Sequence, residues 1–356
     1  MRTAFYITVD DAYAGIGLAL AKRLRKLWGL DVHVFIEGAG DVERDAAGSQ
    51  GVFVHRNLMR DLIPDELPTT VAWPRIIYGR IYAPFLMPEY DRLIYLDADI
   101  YPMRAAAELL GIELTNGIGA IEDSGTISDA PHIRDMSREQ WKDSIGLKSD
   151  RYFNAGVLLI DRAAWVEVDF TRALQRFFHQ YGTAARFGDQ DFLNYHFQGR
   201  WVELSPRFNF QMSLVNYGYE RVFPPVFLHF ATFLKPWLGP DVPDSLQGQF
   251  FPIYNELFLE AGIDPSDYYG GNREKLDRKV RRKIRHALSR LGVVTRKERG
   301  LRNEWERHAA GMFNRFSENG LSGRYPDMRY TVSAMPRPEL VFDGQYLRRS
   351  MDLDFN

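Results

Sequence analysis

Two aspartates separated by one residue follow an apolar segment in the first third of the sequence. Asp97 and Asp99 come directly after residues 93–96, Leu-Ile-Tyr-Leu. Two carboxylates at a strand end can both turn towards one divalent cation, which would offset their repulsion and desolvation. The same spacing occurs at Asp189/Asp191 and Asp352/Asp354, where solvated carboxylates or a helix cap explain it. The apolar segment before Asp97 favours the first pair as the metal site.

Two further segments place polar side chains directly after predicted strands. Asp10, Asp11 and Tyr13 follow the apolar residues 5–9. A carboxylate there can accept from a base N–H while a tyrosine ring stacks on the base, but Asp11 can equally cap a helix while Tyr13 packs. His229 follows residues 226–228, and Lys235 lies six positions further on. The histidine suits a metal ligand or a core residue, and the lysine suits a phosphate contact or a surface loop.

Two motifs contain amide side chains. Asn154 stands in an otherwise apolar segment that continues through Gly156. Its amide either shapes a turn or bonds a ligand that approaches a backbone left open by the glycine. Residues 188–191, Gly-Asp-Gln-Asp, open a predicted helix, where helix capping is the competing explanation.

The elements that must position these residues alternate between strands and helices, which is typical of an α/β fold with a mainly parallel sheet. Ligands of such sheets bind beyond the carboxyl ends of the strands, where Asp10, Asp97 and His229 are expected. Pro74 suits the first position of a helix. The predicted strands are 5–9, 32–36, 51–54, 92–96, 118–121, 156–160 and 226–230, and the predicted helices are 18–27, 73–85, 173–181 and 191–197.

Composition narrows the class of protein. The 356 residues include 45 Lys plus Arg and 47 Asp plus Glu, giving a formal net charge of −2, which disfavours a nucleic-acid partner. The lack of cysteine excludes disulfides, thiolate nucleophiles and Cys-ligated zinc. Residues 4–9 are too short for a signal peptide, and no apolar run reaches the length of a membrane span. The expected location is cytoplasmic, either free or peripheral on the inner face of the membrane.

The order and spacing of these motifs resemble glycosyltransferase family 8, whose members are retaining enzymes that use nucleotide sugars. The resemblance covers residues 3 to about 265 and implies the GT-A fold, a Rossmann-like, mainly parallel sheet flanked by helices. Ala12 replaces an Asn that is frequent in the family, and Thr232 replaces a common Gly. The matching segments are 10–13 (Asp-Asp-Ala-Tyr), 95–99 (Tyr-Leu-Asp-Ala-Asp), 153–160 (Phe-Asn-Ala-Gly-Val-Leu-Leu-Ile), 189–194 (Asp-Gln-Asp-Phe-Leu-Asn), and His229 with 235–237 (Lys-Pro-Trp).

The resemblance implies a role for each motif. Asp97, Asp99 and His229 would hold a divalent cation. Mn²⁺ is favoured over the alternative, Mg²⁺, because an imidazole joins the carboxylates. The cation and Lys235 would stabilise charge on a departing diphosphate. Asp10 and Tyr13 would bind uracil, Arg80 would bind the donor, and Asn154, Asp123, Asp189 and Gln190 would surround the sugar.

The implied activity is transfer of a hexose from a UDP-hexose to a saccharide or glycolipid acceptor, as in bacterial lipopolysaccharide synthesis, with retention of the anomeric configuration. Gln190 would lie beneath the anomeric carbon, and an amide is a poor nucleophile beside a carboxylate. A front-face mechanism is therefore favoured, with Asp189 as the alternative nucleophile.

Three other interpretations are weighed against this one. A phosphohydrolase of the haloacid dehalogenase type would need Thr or Val where Tyr101 stands, and it would leave His229 without a role. A self-glucosylating primer resembling glycogenin would use one of the 18 tyrosines as acceptor. A non-catalytic sugar-binding protein on a transferase fold would need no metal ligands, yet all three are present.

The C-terminal part of the sequence differs in charge. Residues 273–299 contain twelve basic and three acidic residues, so we predict a catalytic domain over 1–265 and a basic, helical extension over 266–356. A helix is predicted from Asn272 to about Leu291. Its basic flanks suit an anionic membrane surface, contacted through 272–299, while packing on the catalytic domain is the alternative. The apolar stripe consists of Leu276, Val280, Ile284, Leu288 and Leu291.

Overall fold

The computed structural model describes most of the first 269 residues and single positions of the extension. The described ranges are 1–39, 43–44, 51–70, 74–124, 138–211, 224–231, 235–238 and 250–269, together with scattered positions between 280 and 325. Thr232 and the Asp352/Asp354 pair lie outside the described residues. Within those residues, no helix is both long enough and apolar enough to cross a membrane.

An eight-stranded sheet forms the centre of the fold, in the order β3-β4-β2-β1-β5-β8-β7-β9. The pairs β1/β2, β1/β5, β2/β4 and β7/β9 are parallel, whereas β3 and β8 run antiparallel to their neighbours. The predicted α/β class and mainly parallel sheet are confirmed. The strands are β1 Thr3–Asp10, β2 Asp31–Glu37, β3 Glu43–Arg44, β4 Val52–Arg56, β5 Arg92–Leu96, β7 Ile118–Glu122, β8 Phe153–Asp161 and β9 Val202–Glu203.

A second, three-stranded sheet was not predicted in this form. It consists of β6 Ile100–Pro102, β10 Phe210–Gln211 and β11 Phe227–His229, in the order β10-β11-β6. Strands of two or three residues are too short to show an alternating pattern, so only β11 had been expected. In the antiparallel pair β11/β6, His229 lies opposite Ile100, which brings the histidine beside Asp99.

The described ranges up to residue 269 contain seven helices. They are α1 Ala14–Trp28, α2 Gly79–Tyr82, α3 Arg138–Ser144, α4 Arg162–Val166, α5 Phe170–Tyr181, α6 Asp189–Phe197 and α7 Phe251–Glu260. The single helix predicted over 73–85 is wrong. Two 3₁₀ turns flank α2 there, and Pro74 is the residue before the first turn rather than its first position. Pro84 interrupts regular helix formation because it lacks a backbone N–H.

Apolar side chains cover both faces of the large sheet. One face carries Tyr6, Tyr95 and Leu158 against α5 and α6, and the other carries Phe5, Ile94 and their neighbours against α1. Strands buried on both faces are nearly continuous apolar runs, which is why their positions were predicted well. Polar residues follow the apolar core at the carboxyl ends of β1 and β5.

Parts of the extension contact the catalytic region. Phe316 and Tyr325 are buried in the cluster that also contains Phe210 and Tyr254, and the Tyr325 hydroxyl donates to Glu203 at 2.9 Å. Val280, Ile284 and Leu288 are 48%, 54% and 42% exposed. Much of the helix predicted over 272–291 lies outside the described residues, so that helix and the 265/266 domain boundary stay predictions.

Candidate active site

The three predicted metal ligands converge at the carboxyl edge of the sheet. Asp97 and Asp99 follow β5, and His229 ends β11. One ligand atom from each of the three residues lies within 4.8 Å of the others. His229 Nε2 is 3.2 Å from Asp99 Oδ1 and 3.9 Å from Asp97 Oδ2. Two carboxylates and an imidazole nitrogen at this separation form a set that fits one divalent cation.

The side chain of Asn209 fixes the orientation of the His229 ring. Its Nδ1 donates to Asn209 Oδ1 at 2.8 Å, so Nε2 is the ring nitrogen that faces the two carboxylates. Asn209 Nδ2 donates in turn to Asn154 Oδ1 at 2.8 Å. A carboxamide behind a histidine ligand fixes the tautomer and the ring direction. Nε2 and the two carboxylates therefore offer three ligand atoms to a divalent cation.

Gly156 makes room for the same imidazole. A Cβ at this position would lie 2.4 Å from His229 Cε1 and 2.9 Å from its Nδ1. The expectation that Gly156 leaves its backbone open to a ligand is therefore wrong, because the histidine ring fills that space. The residue is a packing requirement of the candidate metal site.

Lys235 places a positive charge against the carboxylate of Asp99. Its Nζ is 2.5 Å from Asp99 Oδ2 and donates to the Phe230 carbonyl at 2.9 Å. Burial works against ionisation of Asp99, but Lys235 and His229 outweigh it and lower its pKa. Asp99 is therefore held as the carboxylate, the form that binds metal.

Arg80 joins two acidic residues, one of them in the cluster. Its Nη2 is 3.1 Å from Asp97 Oδ1, and its Nε is 2.8 Å from Asp189 Oδ2. Nη1 donates to the Ala155 carbonyl at 2.9 Å. Burial raises the pKa of Asp189 to about 7 against the opposing effect of Arg80. The guanidinium thus links the metal side of the site to the start of α6.

Gln190, Asp123 and Asn154 form one hydrogen-bonded group. Asp123 Oδ2 accepts from Gln190 Nε2 at 3.1 Å and from Asn154 Nδ2 at 3.2 Å. Gln190 Oε1 accepts from the Ala155 N–H at 2.9 Å. Both ends of the Gln190 amide are therefore fixed, so its direction is set by the fold. Through Asn209, this group is continuous with His229.

Asp10 and Tyr13 lie at the carboxyl end of β1, the strand that pairs with β5. Asp10 Oδ1 accepts from the Tyr13 N–H at 3.0 Å and caps the 3₁₀ turn 11–13. The alternative that gave this cap to Asp11 is wrong, because the Asp11 carboxylate accepts from Ala39 N–H and pairs with Arg56. The Tyr13 ring packs edge-on against Trp237 at a centroid distance of 6.0 Å.

In the second Asp-x-Asp pair, Asp189/Asp191, the role of Asp191 differs from the helix capping that the sequence suggested. Gly188, with φ +53°, precedes α6 and supplies no side chain. Asp191 is fully buried, and its Oδ2 accepts from the N–H groups of Arg186 and Phe187 at 2.6 and 2.9 Å. Its Oδ1 accepts from the Tyr152 hydroxyl at 2.5 Å. Asp191 thus holds the loop that leads into the site.

Asn209 and Tyr95 are two site residues that the sequence interpretation missed. The Tyr95 hydroxyl donates to Asp97 Oδ1 at 2.6 Å, and the Asn209 side chain orients His229. Tyr95 belongs to the segment 95–99, so its position before the aspartates was a usable signal. For Asn209 the only signal is a polar residue between Phe208 and Phe210.

The fold is that of the GT-A glycosyltransferases. The crystal structure of galactosyltransferase LgtC in complex with donor and acceptor sugar analogs aligns with a TM-score of 0.55 and 23% identity, over 74% of this chain and 95% of that one. A crystal structure of an active-site mutant of LgtC gives a TM-score of 0.56 at 22% identity, over 72% of this chain and 96% of that one. These likenesses concern the fold.

Residues 47–240, more than half of the chain, match the family described as Glycosyl transferase family 8. The chain belongs to this family. It is 30% identical over 198 residues to Glycosyltransferase GlyF of Streptococcus pneumoniae serotype 4, covering 53% of this chain and 44% of the relative. It is 24% identical over 181 residues to Lipopolysaccharide 1,2-glucosyltransferase of Escherichia coli K12, covering 48% and 52%. The chain thus spans about half the length of these curated relatives.

Proposed function

We propose that this chain is a retaining hexosyltransferase that moves a hexose from a UDP-sugar to a saccharide or glycolipid acceptor with the help of a divalent cation. The observation that carries the proposal is the convergence of Asp97, Asp99 and His229 beside the Gln190 amide. In a phosphohydrolase of the haloacid dehalogenase type, His229 and Gln190 would have no role. Family membership supports the same activity.

The donor diphosphate would lie against the cluster of Asp97, Asp99 and His229. Asp97, Asp99 and His229 would hold Mn²⁺ or Mg²⁺, and the bound cation would stabilise the negative charge that develops on the leaving UDP. Lys235 adds a second positive charge at the same edge and can exchange Asp99 for a phosphate oxygen. Asp10 and Tyr13 would bind the uracil, and Arg80, paired with Asp97, would keep that carboxylate in position.

The sugar would lie over Gln190, Asp123 and Asn154. Asp189 is 2% exposed and faces Arg80, so it offers a poor approach to an anomeric carbon. We favour a front-face route, in which the bond from C1 to the phosphate oxygen breaks while the acceptor oxygen bonds C1 from the same side. The proton of the acceptor hydroxyl passes to the leaving phosphate.

The decisive assay measures UDP release from a panel of UDP-hexoses with Mn²⁺, Mg²⁺ or EDTA. One donor should be turned over in a metal-dependent way, and Asp97→Ala and Asp99→Ala should each reduce the rate at least about 100-fold. Asp267→Ala, a change at an exposed aspartate outside the site, is the matched control. Full activity in both site variants would refute the metal assignment.

Two mass measurements separate the remaining mechanistic alternatives. A covalent sugar adduct on Asp189 would replace the front-face route by double displacement. A gain of hexose mass by the intact chain during incubation with UDP-glucose would indicate a self-glucosylating primer. We expect neither adduct, and we expect a product that retains the anomeric configuration of the donor.

The basic extension supports a peripheral contact with an anionic membrane. Apolar residues of the predicted stripe, Val280, Ile284 and Leu288, are each more than 40% exposed, and basic residues surround them in sequence. Apolar side chains flanked by lysine and arginine are typical of interfacial helices, and each basic residue near an anionic leaflet contributes about 1 kcal/mol. This location would suit a glycolipid acceptor.

Sedimentation with liposomes tests the membrane contact in the full chain. The full chain should sediment with anionic vesicles and stay in solution with neutral ones, and the double variant Ile284→Ser/Leu288→Ser should lose sedimentation. Leu259→Ser, which changes an apolar residue 60% exposed on α7, should behave as the unmodified chain. Equal sedimentation of all three proteins would contradict the proposal.

A further inference from the structure

The C-terminal extension contributes an arginine that contacts the end of β7. Arg315 Nη1 lies 2.8 Å from Glu122 Oε1, and Glu122 is the last residue of β7. The next residue is Asp123, whose carboxylate accepts from the Gln190 and Asn154 side chains. One peptide bond therefore separates the carboxylate that the extension contacts from the carboxylate that orients the Gln190 amide.

Glu122 is a buried carboxylate on a face of the sheet that holds a second one. Glu122 and Glu203 are each 7% exposed. Glu203 lies opposite Ala120 in the pairing of β7 with β9, and residues two positions apart on a strand point to the same face, so the two glutamates share a face. Arg151 lies 3.4 Å from Glu203, and Arg315 supplies a positive charge at Glu122. A buried carboxylate that loses such a partner loses compensation for its charge.

Arg315 is held at Glu122 by its surroundings. Although 35% of its side chain is exposed, Nε and Nη2 are buried and have no hydrogen-bond partner among the residues that the structure describes. Within that part of the chain, the Glu122 carboxylate is therefore the polar partner of the guanidinium. Phe316 and Tyr325 are buried in one apolar cluster, which anchors the segment that carries the arginine.

The chain around Asp123 is bonded closely enough to transmit a movement of Glu122. The Asp123 N–H donates to the Tyr152 carbonyl at 3.0 Å. Gln211 Nε2 donates to the Glu122 carbonyl at 3.1 Å, and Gln211 Oε1 accepts from the Ser124 N–H at 3.1 Å. These bonds join the three consecutive residues into one unit. Exposing the buried Glu122 carboxylate to water requires this unit to shift, and Asp123 shifts with it.

A small shift is sufficient to loosen the Gln190 amide. Asp123 Oδ2 is 3.1 Å from Gln190 Nε2 and 3.2 Å from Asn154 Nδ2, close to the upper end of the usual range for hydrogen bonds. A displacement of about 0.5 Å lengthens both bonds beyond that range. Asn154 keeps its bonds to the Gly156 N–H and the Asn209 amide, so the metal ligands are not affected.

We propose that Arg315 is a positioning residue for sugar transfer. By neutralising Glu122, it keeps the Asp123 carboxylate, and with it the Gln190 amide, in the direction that the donor sugar would meet. This inference rests on the proposed function, and it assigns to the extension a part in the site that is separate from any membrane contact. Binding of the metal and of the uracil does not depend on this arginine.

Kinetic measurements on variants of the full chain test the proposal. Arg315→Met should lower kcat for UDP release from a UDP-hexose about tenfold, because a misplacement of about 1 Å costs up to about 100-fold. Its dissociation constant for UDP in the presence of Mn²⁺ should stay unchanged. Arg315→Lys keeps the charge and should retain most of kcat. Arg176→Met, at an exposed position of α5, is the matched control.

A second change in the same chain separates charge from packing. Arg315→Met/Glu122→Gln removes both charges, so no carboxylate at position 122 needs compensation, and most of the lost kcat should return. Arg315→Gln should give the same loss as Arg315→Met, and it takes the place of that variant if circular dichroism shows the latter to be unfolded. Unchanged kcat in a folded Arg315→Met variant, an equal loss of UDP affinity, or no recovery in the double variant would overturn the proposal.

The side-chain amide of Gln190 reports the geometry without turnover. In ¹H–¹⁵N spectra of the full chain without donor, its NH₂ signals should shift in Arg315→Met and stay in place in Arg176→Met. If these signals shift but the unmodified chain turns over no UDP-hexose, the proposed function fails and the positioning of Gln190 by Arg315 stands. If UDP-hexose is turned over and neither kcat nor the Gln190 signals change in Arg315→Met, the inference is wrong and the proposed function stands.

Discussion

Adding a single methyl group at Gly156 should impair metal binding although none of the proposed ligand residues is replaced. The Cβ of Gly156→Ala would lie 2.4 Å from His229 Cε1, whereas ordinary contacts begin near 3.4 Å. The imidazole must therefore move by about 1 Å, or β8 must move away from it. Metal–ligand distances tolerate only about 0.2 Å, so a shift of this size removes His229 from the coordination set.

The expected loss of Mn²⁺ affinity can be judged from changes that leave a metal ligand wrongly oriented. Loss of a group that orients a ligand costs about 10- to 100-fold in metal affinity, which equals about 1.4 to 2.7 kcal/mol. Overpacking of the core would also lower the free energy of unfolding by about 1 to 3 kcal/mol. We expect the dissociation constant for Mn²⁺ to rise by one to two orders of magnitude while the variant stays folded.

Titration with Mn²⁺ in the presence of UDP, followed by electron paramagnetic resonance of the free ion, measures this change directly. Gly111→Ala is the matched control, because no atom lies within 4 Å of the Cβ added there, and it should bind Mn²⁺ as the unmodified chain does. Circular dichroism reports whether each variant is folded. A folded Gly156→Ala variant with unchanged Mn²⁺ affinity would refute the proposed geometry of the site.

Three further predictions concern the residues around the ligands. Asn209→Leu should raise the dissociation constant for Mn²⁺ about 10- to 100-fold in the same titration, because His229 Nδ1 loses its acceptor. Asp191→Asn should lower the free energy of unfolding in urea by about 2 to 4 kcal/mol, because three donors in a buried position face a changed acceptor. Burial raises the folded-state pKa of Asp189 from 3.8 to about 7, so the folded protein retains this proton and loses stability as pH rises through 7. Between pH 5 and 8 this loss should be about 1 to 4 kcal/mol in the unmodified chain and smaller in Asp189→Asn, and equal losses in both proteins would contradict it.

Most of the large sheet could be predicted from the sequence because its strands are buried on both faces. Residues 5–9, 32–36 and 92–96 are nearly continuous apolar runs, each with one polar residue, and each lies within an observed strand. The prediction of one helix over residues 73–85 was wrong because the apolar spacing there fits a helix while Pro84 and Gly79 divide the segment. Strands β6 and β10 were not predicted because two or three residues carry no periodicity.

In the candidate site, residues marked by their neighbours in the sequence could be predicted, whereas contacts between distant segments could not. The pair Asp97 and Asp99 was evident because the apolar strand before it marks a sheet edge. The contact of His229 with Asp99 depends on the register of β11 against β6, which connects residues about 130 positions apart and leaves no local pattern. The space at Gly156 is likewise set by a distant side chain, so the sequence left a turn and an open backbone as alternatives where the structure holds an imidazole.

The position of bound Mn²⁺ tests the central claim most directly. Crystals of the full chain soaked with MnCl₂ and UDP can be measured near the manganese absorption edge, where the anomalous signal identifies the ion. The account predicts one strong peak between Asp97, Asp99 and His229 Nε2, at about 2.0 to 2.3 Å from the ligand atoms, with UDP oxygens completing the coordination. A manganese peak elsewhere, or UDP bound at this edge without any peak between the three residues, would contradict it.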